Sequence, residues 1–268
     1  MTLIPVLAGL LADPGAAAVL AAANDEPQVD VAIAPGARPA MVAALAQERP
    51  VLAVTATGRE ADDLASALAE FLPAGGIATF PSWETLPHER LSPRSDTVGQ
   101  RLAVLRRLAH PESGDSAYGP VQVIVASSRA LLQPFVAGLG ELVPVQLQAG
   151  ETHEFEDVVA ALAAAAYTRT DLVERRGEFS VRGGILDVFP PTEEHPLRVE
   201  FWGDTVEEIR WFRVADQRSL EIAPDGLWAP PCRELLLTDD VRQRAAELAE
   251  QLPGVADLLG KVAEGIAV

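Results

Sequence analysis

Two short stretches hold the side chains best suited to recognition. "VERRGEFSVRGGILDVFPP", Val173 to Pro191, places Arg175, Arg176 and Arg182 within eight residues, and "PLRVEFWGD" adds Arg198 and Trp202. A guanidinium presents up to five N–H donors in a planar fork, which matches the paired oxygens of a carboxylate or a phosphate. The phosphates of a nucleic acid are the usual ligand of such a cluster. Here 21 Lys and Arg stand against 39 Asp and Glu, a formal net charge of −18, so the chain repels a polyanion at long range. Between Tyr167 and Arg213 seven arginines face ten acidic residues, so the region itself is not basic either. Directional arginine–carboxylate pairing across a protein interface works without net positive charge.

Other chemistries find little support. A phosphate-binding loop belongs between the first strand and helix of a parallel sheet, and "VAIAPGARPAMVAAL" is the stretch to test against GxxxxGK[ST]. Gly36 can start such a loop, but Met41 and Val42 stand where the second glycine and the lysine belong, and Ala43 where the magnesium-holding hydroxyl belongs. Arg38 is able to touch a phosphate, yet it reads better as a helix start with Pro39 in the first turn. The pairs Asp62-Asp63, Glu193-Glu194 and Glu207-Glu208 are adjacent in sequence, as on solvated faces or turns, and no Ser/His/Asp or Cys/His arrangement emerges. Cys232 is the single cysteine, and His88, His110, His153 and His195 lie too far apart for a zinc motif. No catalytic residue, metal or cofactor is expected. A cytoplasmic setting fits the cysteine usage, and Asp13 and Pro14 break the apolar N-terminal run short of a membrane span.

The elements that must hold the arginines follow from periodicity. "VDVAIA" (Val29 to Ala34), "PVLAVTAT", "GIATF" and "VQVIVAS" read as strands, alternating with helices in "RPAMVAALAQE", "EADDLASALAEFL" and "TVGQRLAVLRRLA". The fold class is therefore α/β, a parallel sheet covered by helices over residues 1–148. Thr57 and Glu60 have the spacing of a capping box. Residues 149–220 change texture to one helix, "FEDVVAALAAAAY", and alternating strands with a hairpin turn at Gly203-Asp204, a small inserted antiparallel α+β domain. Residues 221–268 return to the first texture with a strand and a helix, and the ending, without a closing element, suggests a longer chain. Along "LRVEFW" alternation sends Leu197, Val199 and Phe201 to the core and Arg198, Glu200 and Trp202 outward, with Arg198 and Trp202 ~13 Å apart. The competing arrangement has Trp202 as a plug under the helix near Val158 and Arg198 paired with Glu200. Arg175 and Arg176 fall in a turn beside Glu174 and Glu178.

Three long motifs, "FPSWETLPHERLSPRSDTVGQRLAVLRRL", "YTRTDLVERRGEFSVRGGILDVFPP" and "PLRVEFWGDTVEEIRWFRVADQRSL", resemble the N-terminal module of the bacterial transcription-repair coupling factors, the Mfd family, itself similar to UvrB. The resemblance runs from about Val29 onward. It implies a parallel-sheet, helicase-like domain with a degenerate nucleotide site, an inserted domain that docks UvrA, and a non-catalytic adaptor that recruits UvrA to stalled transcription complexes. RNA polymerase and DNA would be engaged through parts of the family's longer chain. Arg182 is carried over from the family's UvrA contact, joining Arg198 and Trp202, with Arg169 as a fourth member. The family's resting full-length protein covers this face with a distant C-terminal domain. Ser180 stands where UvrB-like sequences tend to have a second arginine, which implies weaker binding. Trp83 alone occupies the region of UvrB's aromatic damage-gripping hairpin, so damage sensing is not expected. The alternatives are a UvrB-like ATP-dependent helicase half and an unrelated small-molecule enzyme with a polar pocket at the strand ends.

Overall fold

The apolar run near the start of the chain breaks where Asp13 and Pro14 stand. In the computed structural model, which describes residues 3–86, 92–112 and 120–266, it forms helices α1 (Ile4–Leu11) and α2 (Pro14–Asp25), and the Asp13 side chain caps α2 by accepting the Ala16 N–H at 3.0 Å. Leu7, Ala16 and Leu20 are buried. Among the described residues no single helix is long and apolar enough to cross a membrane, and α1 with α2 passes only as a pair bent by 74°. His88 lies outside the described residues.

The chain divides into two units, Met1–Ser82 with Val104–Gly140, and Trp83–Ala103 with Glu141–Val268. The first holds α3 (Arg38–Leu45), β1 (Val51–Thr55), α4 (Gly58–Leu68), β2 (Ile77–Phe80), the second half of α5 (Ser95–Ala109), β3 (Val123–Ser127) and α6 (Ser128–Leu132). Its sheet is wholly parallel in the order β1-β3-β2, the pairing that strand–helix–strand connections allow. Val123 and Val125 on the central strand are fully buried against Leu68 and Ala43. Thr57 caps α4 by accepting the Glu60 N–H, and the Glu60 carboxylate returns to the Ala56 N–H rather than to Thr57 itself. The strand expected at Val29–Ala34 does not form. Alternate residues Val29, Val31 and Ile33 do share a side, but they line a cleft of about 800 Å³ together with residues of β1, and the segment joins no ladder. The strand–loop–helix context of a phosphate loop is therefore missing: a 3₁₀ turn, Pro35–Ala37, leads straight into α3, where Ala43 is wholly buried.

The second unit holds the first half of α5, β4 (Val145–Leu147), α7 (Phe155–Ala164), β5 (Thr168–Arg169), β6 (Glu178–Arg182), β7 (Ile185–Val188), β8 (Leu197–Trp202), β9 (Thr205–Phe212), β10 (Ser219–Ile222), β11 (Leu227–Ala229), α8 (Asp239–Gln251) and α9 (Ala256–Ala263). Six strands form one sheet in the order β10-β9-β8-β7-β6-β5, antiparallel except for the short β5–β6 pair. Val158 and Leu162 of α7 share a core with Phe179, Leu186, Leu197, Val199 and Ile209 from the inner face of that sheet. Gly203, at φ +60°, makes the two-residue turn that sets Trp202 opposite Thr205.

Residues on both sides of 149–220 also fall in this unit. β11 pairs with β4, and Leu147, Leu227, Ala229 and Cys232 belong to the same core as the six-stranded sheet. Arg101 of α5 is completely buried, pairs with Glu234 at 2.8 Å and stacks on Trp83, whose indole N–H donates to the same carboxylate. The segments on either side of the inserted strands are thus tied to each other by a charge pair that composition alone does not reveal. α9 packs back on α8.

Two tests follow from this packing. Glycine inside a helix costs about 1 kcal/mol relative to alanine, yet a Cβ at Gly99 in α5 would lie 2.2 Å from the Pro191 Cβ. Gly99→Ala is therefore expected to lower stability by about 1–3 kcal/mol in urea unfolding; an unchanged or higher midpoint would mean the Pro191 turn yields. The second test concerns alkali. Burial pushes the Cys232 thiol up to about 12 and raises the Tyr167 hydroxyl well above its usual range. The neutral forms are favoured in the folded state, so their contribution is complete below the ordinary thiol value near 9 and is lost as pH rises toward 12. The melting temperature should fall as pH rises from about 9 toward 12, less steeply in Cys232→Ala.

Candidate partner-docking face

Register across the six-stranded sheet sorts the outward side chains into rows. One row runs Ser180, Asp187, Arg198, Arg210 across β6 to β9, and the next runs Arg182, Ile185, Glu200, Glu208. Trp202 lies one row further along β8. Leu197, Val199 and Phe201 point into the core, as alternation requires.

Trp202 is 77% exposed, which removes the arrangement in which it plugs the space near Val158. Arg198 does not pair with Glu200. Its Nε and Nη2 donate to the two oxygens of Asp187 at 2.7 and 2.8 Å, its Nη1 donates to the Gln217 carbonyl, and its guanidinium stacks on Phe212 at 4.7 Å. The carboxylate hydrogen bond raises the Arg198 guanidinium further above its ordinary value. Arg182 donates from Nη2 to the same Asp187 at 2.8 Å. Structure therefore brings Arg182 and Arg198 together through Asp187, itself 1% exposed. Arg210 grips Glu208 with two N–H groups, which lowers the Glu208 carboxyl and raises the arginine.

The remaining arginines are placed apart from this centre. Arg169 is exposed on the two-residue edge strand β5, in register with inward-pointing Phe179 and so out of phase with Ser180 and Arg182. Arg176 stacks on Phe189 and donates to the Glu193 carbonyl, while the Arg175 and Glu174 N–H groups are both taken by the Glu178 carboxylate. Ser180 is buried directly across from Asp187, and its hydroxyl has no hydrogen-bond partner. An arginine there would put a third cation in the Asp187 row.

Asp187 and Gln217 are the residues that strand reading missed. Asp187 carried a usable signal: in "ILDV" it is the charged residue between two inward-facing apolar ones, on a strand flanked by arginine-bearing strands. Gln217 carried none, since its role depends on a loop conformation at φ +57° that non-glycine residues seldom adopt.

Residues 145–226 match the family described as the UvrB interaction domain. The transcription-repair-coupling factor of Mycobacterium tuberculosis is 55% identical over 257 residues, covering 92% of this chain and 21% of its own length. The chain belongs to the UvrB-homology module of the transcription-repair-coupling factors. The coupling factor of Bacillus subtilis is 31% identical over 84% of this chain and 18% of its own. The UvrABC system protein B of Streptomyces coelicolor is 27% identical over 79% of this chain and 32% of its own. The chain thus spans about one fifth of the length of the first of these coupling factors. The matched residues of this UvrB-homology module include all six strands of the sheet that carries Arg182, Arg198 and Trp202.

The cleft of the first unit combines an apolar lining with four polar side chains. Its walls are apolar apart from Arg38, Thr55, Glu60 and Asp63, and Glu60 is occupied in capping. Among the described residues no group of three or more His, Cys, Asp or Glu is placed to hold a metal.

Exposure and burial on this face predict opposite stability effects. Trp202→Ala should change unfolding free energy by no more than about 0.5 kcal/mol, as for other exposed sites. Asp187→Ala strands two guanidinium groups and should cost on the order of 3 kcal/mol. Thermal and urea unfolding of both variants checks the contrast.

Proposed function

We propose that this module is a non-catalytic adaptor that docks UvrA on the outer face of the six-stranded sheet, with Arg182, Arg198 and Trp202 at the centre and Arg169 at the margin, and so recruits UvrA to stalled transcription complexes. The observation that carries the reading is Trp202: a large aromatic ring, 77% exposed on a rigid strand, on the same face as a preassembled arginine pair. Exposed tryptophan and arginine held this way are the usual anchors of a protein interface. The first unit serves as a scaffold of helicase-half type whose nucleotide site is degenerate. Met41, Val42 and Ala43 in place of the loop's glycine, lysine and hydroxyl support this, as does the burial of Ala43. RNA polymerase and DNA are engaged by other parts of the longer coupling factors, in the cytoplasm.

Titration calorimetry with purified UvrA tests the docking face. Alanine at Arg182, Arg198 or Trp202 should each weaken binding by about 2 kcal/mol, close to thirtyfold. Arg175→Ala should stay within about twofold of the wild type, because an exposed rim charge contributes little. Unchanged affinity in all three central variants rejects this face, even if UvrA still binds elsewhere.

A further inference from the structure

Arg182 and Arg198 are alike in type but not in setting. Arg198 commits Nε and Nη2 to both oxygens of Asp187, commits Nη1 to the Gln217 carbonyl and stacks on Phe212, leaving its side chain only 14% exposed. Arg182 gives Asp187 one N–H, and its side chain remains 49% exposed. Of five donors that leaves four without a side-chain acceptor. Gln217 extends the frame: its side-chain amide donates to the Val173 and Val214 carbonyls, which fixes the loop whose carbonyl Arg198 uses. Gln217 itself sits at φ +57°, a backbone conformation that non-glycine residues seldom adopt.

Resting on the docking reading above, the geometry points to Asp187 as the positioning residue of the interface: braced by Arg198, it fixes the Arg182 guanidinium so that its free edge faces a carboxylate of the partner. Arg198 is the strut and Arg182 the reading group. The gain is preorganisation, since a long side chain already held in place loses little further freedom on binding. Simple electrostatics predicts the opposite sign. Removing a negative charge beside two cations would make the face more attractive to a carboxylate.

That difference of sign is the test. UvrA affinity is measured for the intact chain and for Asp187→Asn, Arg198→Lys and Arg182→Lys, each checked for folding by melting temperature. Nitrogen-15 NMR follows the arginine Nε–H signals of the free proteins. Asp187→Asn should bind about tenfold more weakly despite its added positive charge, and Arg198→Lys should lose about as much at unchanged net charge. Arg182→Lys removes the planar fork that reads the carboxylate and should lose at least about tenfold. In the free protein the Arg198 Nε–H signal should exchange slowly with solvent and do so fast in Asp187→Asn, while the Arg182 side chain becomes more mobile. Folded Asp187→Asn binding as tightly as wild type, or more tightly, overturns the positioning role and leaves the docking face standing. If Asp187→Asn is unfolded, Arg198→Lys decides, and wild-type affinity there overturns the proposal. Failure of the wild type to bind UvrA rejects the docking reading instead, and the NMR signals still decide whether Asp187 orders Arg182.

Discussion

A carboxylate sealed from solvent costs several kcal/mol unless cations and hydrogen bonds replace its water, and Asp187 is such a group. It sits in the middle of β7, in a sheet whose inner face is already committed to the core. Only the outer side chains of β6 and β8 can reach it. Those strands supply Arg182 and Arg198, so the charge requirement of one residue decides how the exposed face is built. The register matters as much as the residue types. Asp187 is directly opposite Arg198 and one row from Arg182, and a slip of one residue would turn Asp187 into the core and its arginines away from it.

The same sheet is treated differently along its length. Toward one end the outer face is covered, with Val173, Phe189 and Phe212 forming a small second core sealed by the Gln217 loop. Toward the other end it stays open, with Ile185 and Glu200 in the row of Arg182 and Trp202 one row beyond. Arg198 stands at the boundary, with its guanidinium on the Phe212 ring and its edge on Asp187. The covered end gives the strands a rigid support, and the open end uses that rigidity for display. Trp202 gains from this directly: its strand is fixed by Leu197, Val199 and Phe201 below and by the Gly203 turn beyond.

Much of this was legible in the sequence because strand alternation is a strict period of two. The inward set of β8, the outward placement of Trp202 and the Gly203 turn all follow from counting. The partner of Arg198 did not, because cross-strand neighbours depend on register, and Glu200 on the same strand looked as available as Asp187 on the next. Val29–Ala34 misled for a related reason: alternation marks an extended chain with one apolar side, but whether that side meets a sheet or a cleft is a tertiary matter. The unit boundaries were hidden by Arg101 and Glu234, separated by more than a hundred residues and joined by a buried ion pair. No local pattern announces such a contact.

The acid excess of the chain bears on how a contact of this kind gains strength. With a net charge of −18 the long-range field disfavours any partner that presents carboxylates. At physiological salt that field decays over about 8 Å, roughly the spacing between neighbouring rows of the docking face. Attraction must therefore come from groups already within reach. Covering ~150 Å² of an exposed indole removes about 4 kcal/mol of unfavourable hydration before ordering costs, and a fork held by Asp187 adds a directional bond with little to freeze. Such an interface would depend more on slow dissociation than on fast encounter. An arginine patch in an acidic chain is therefore coherent physics: the charges are few, fixed and locally balanced, and on the proposed docking reading they discriminate by geometry where a basic surface would attract without discrimination.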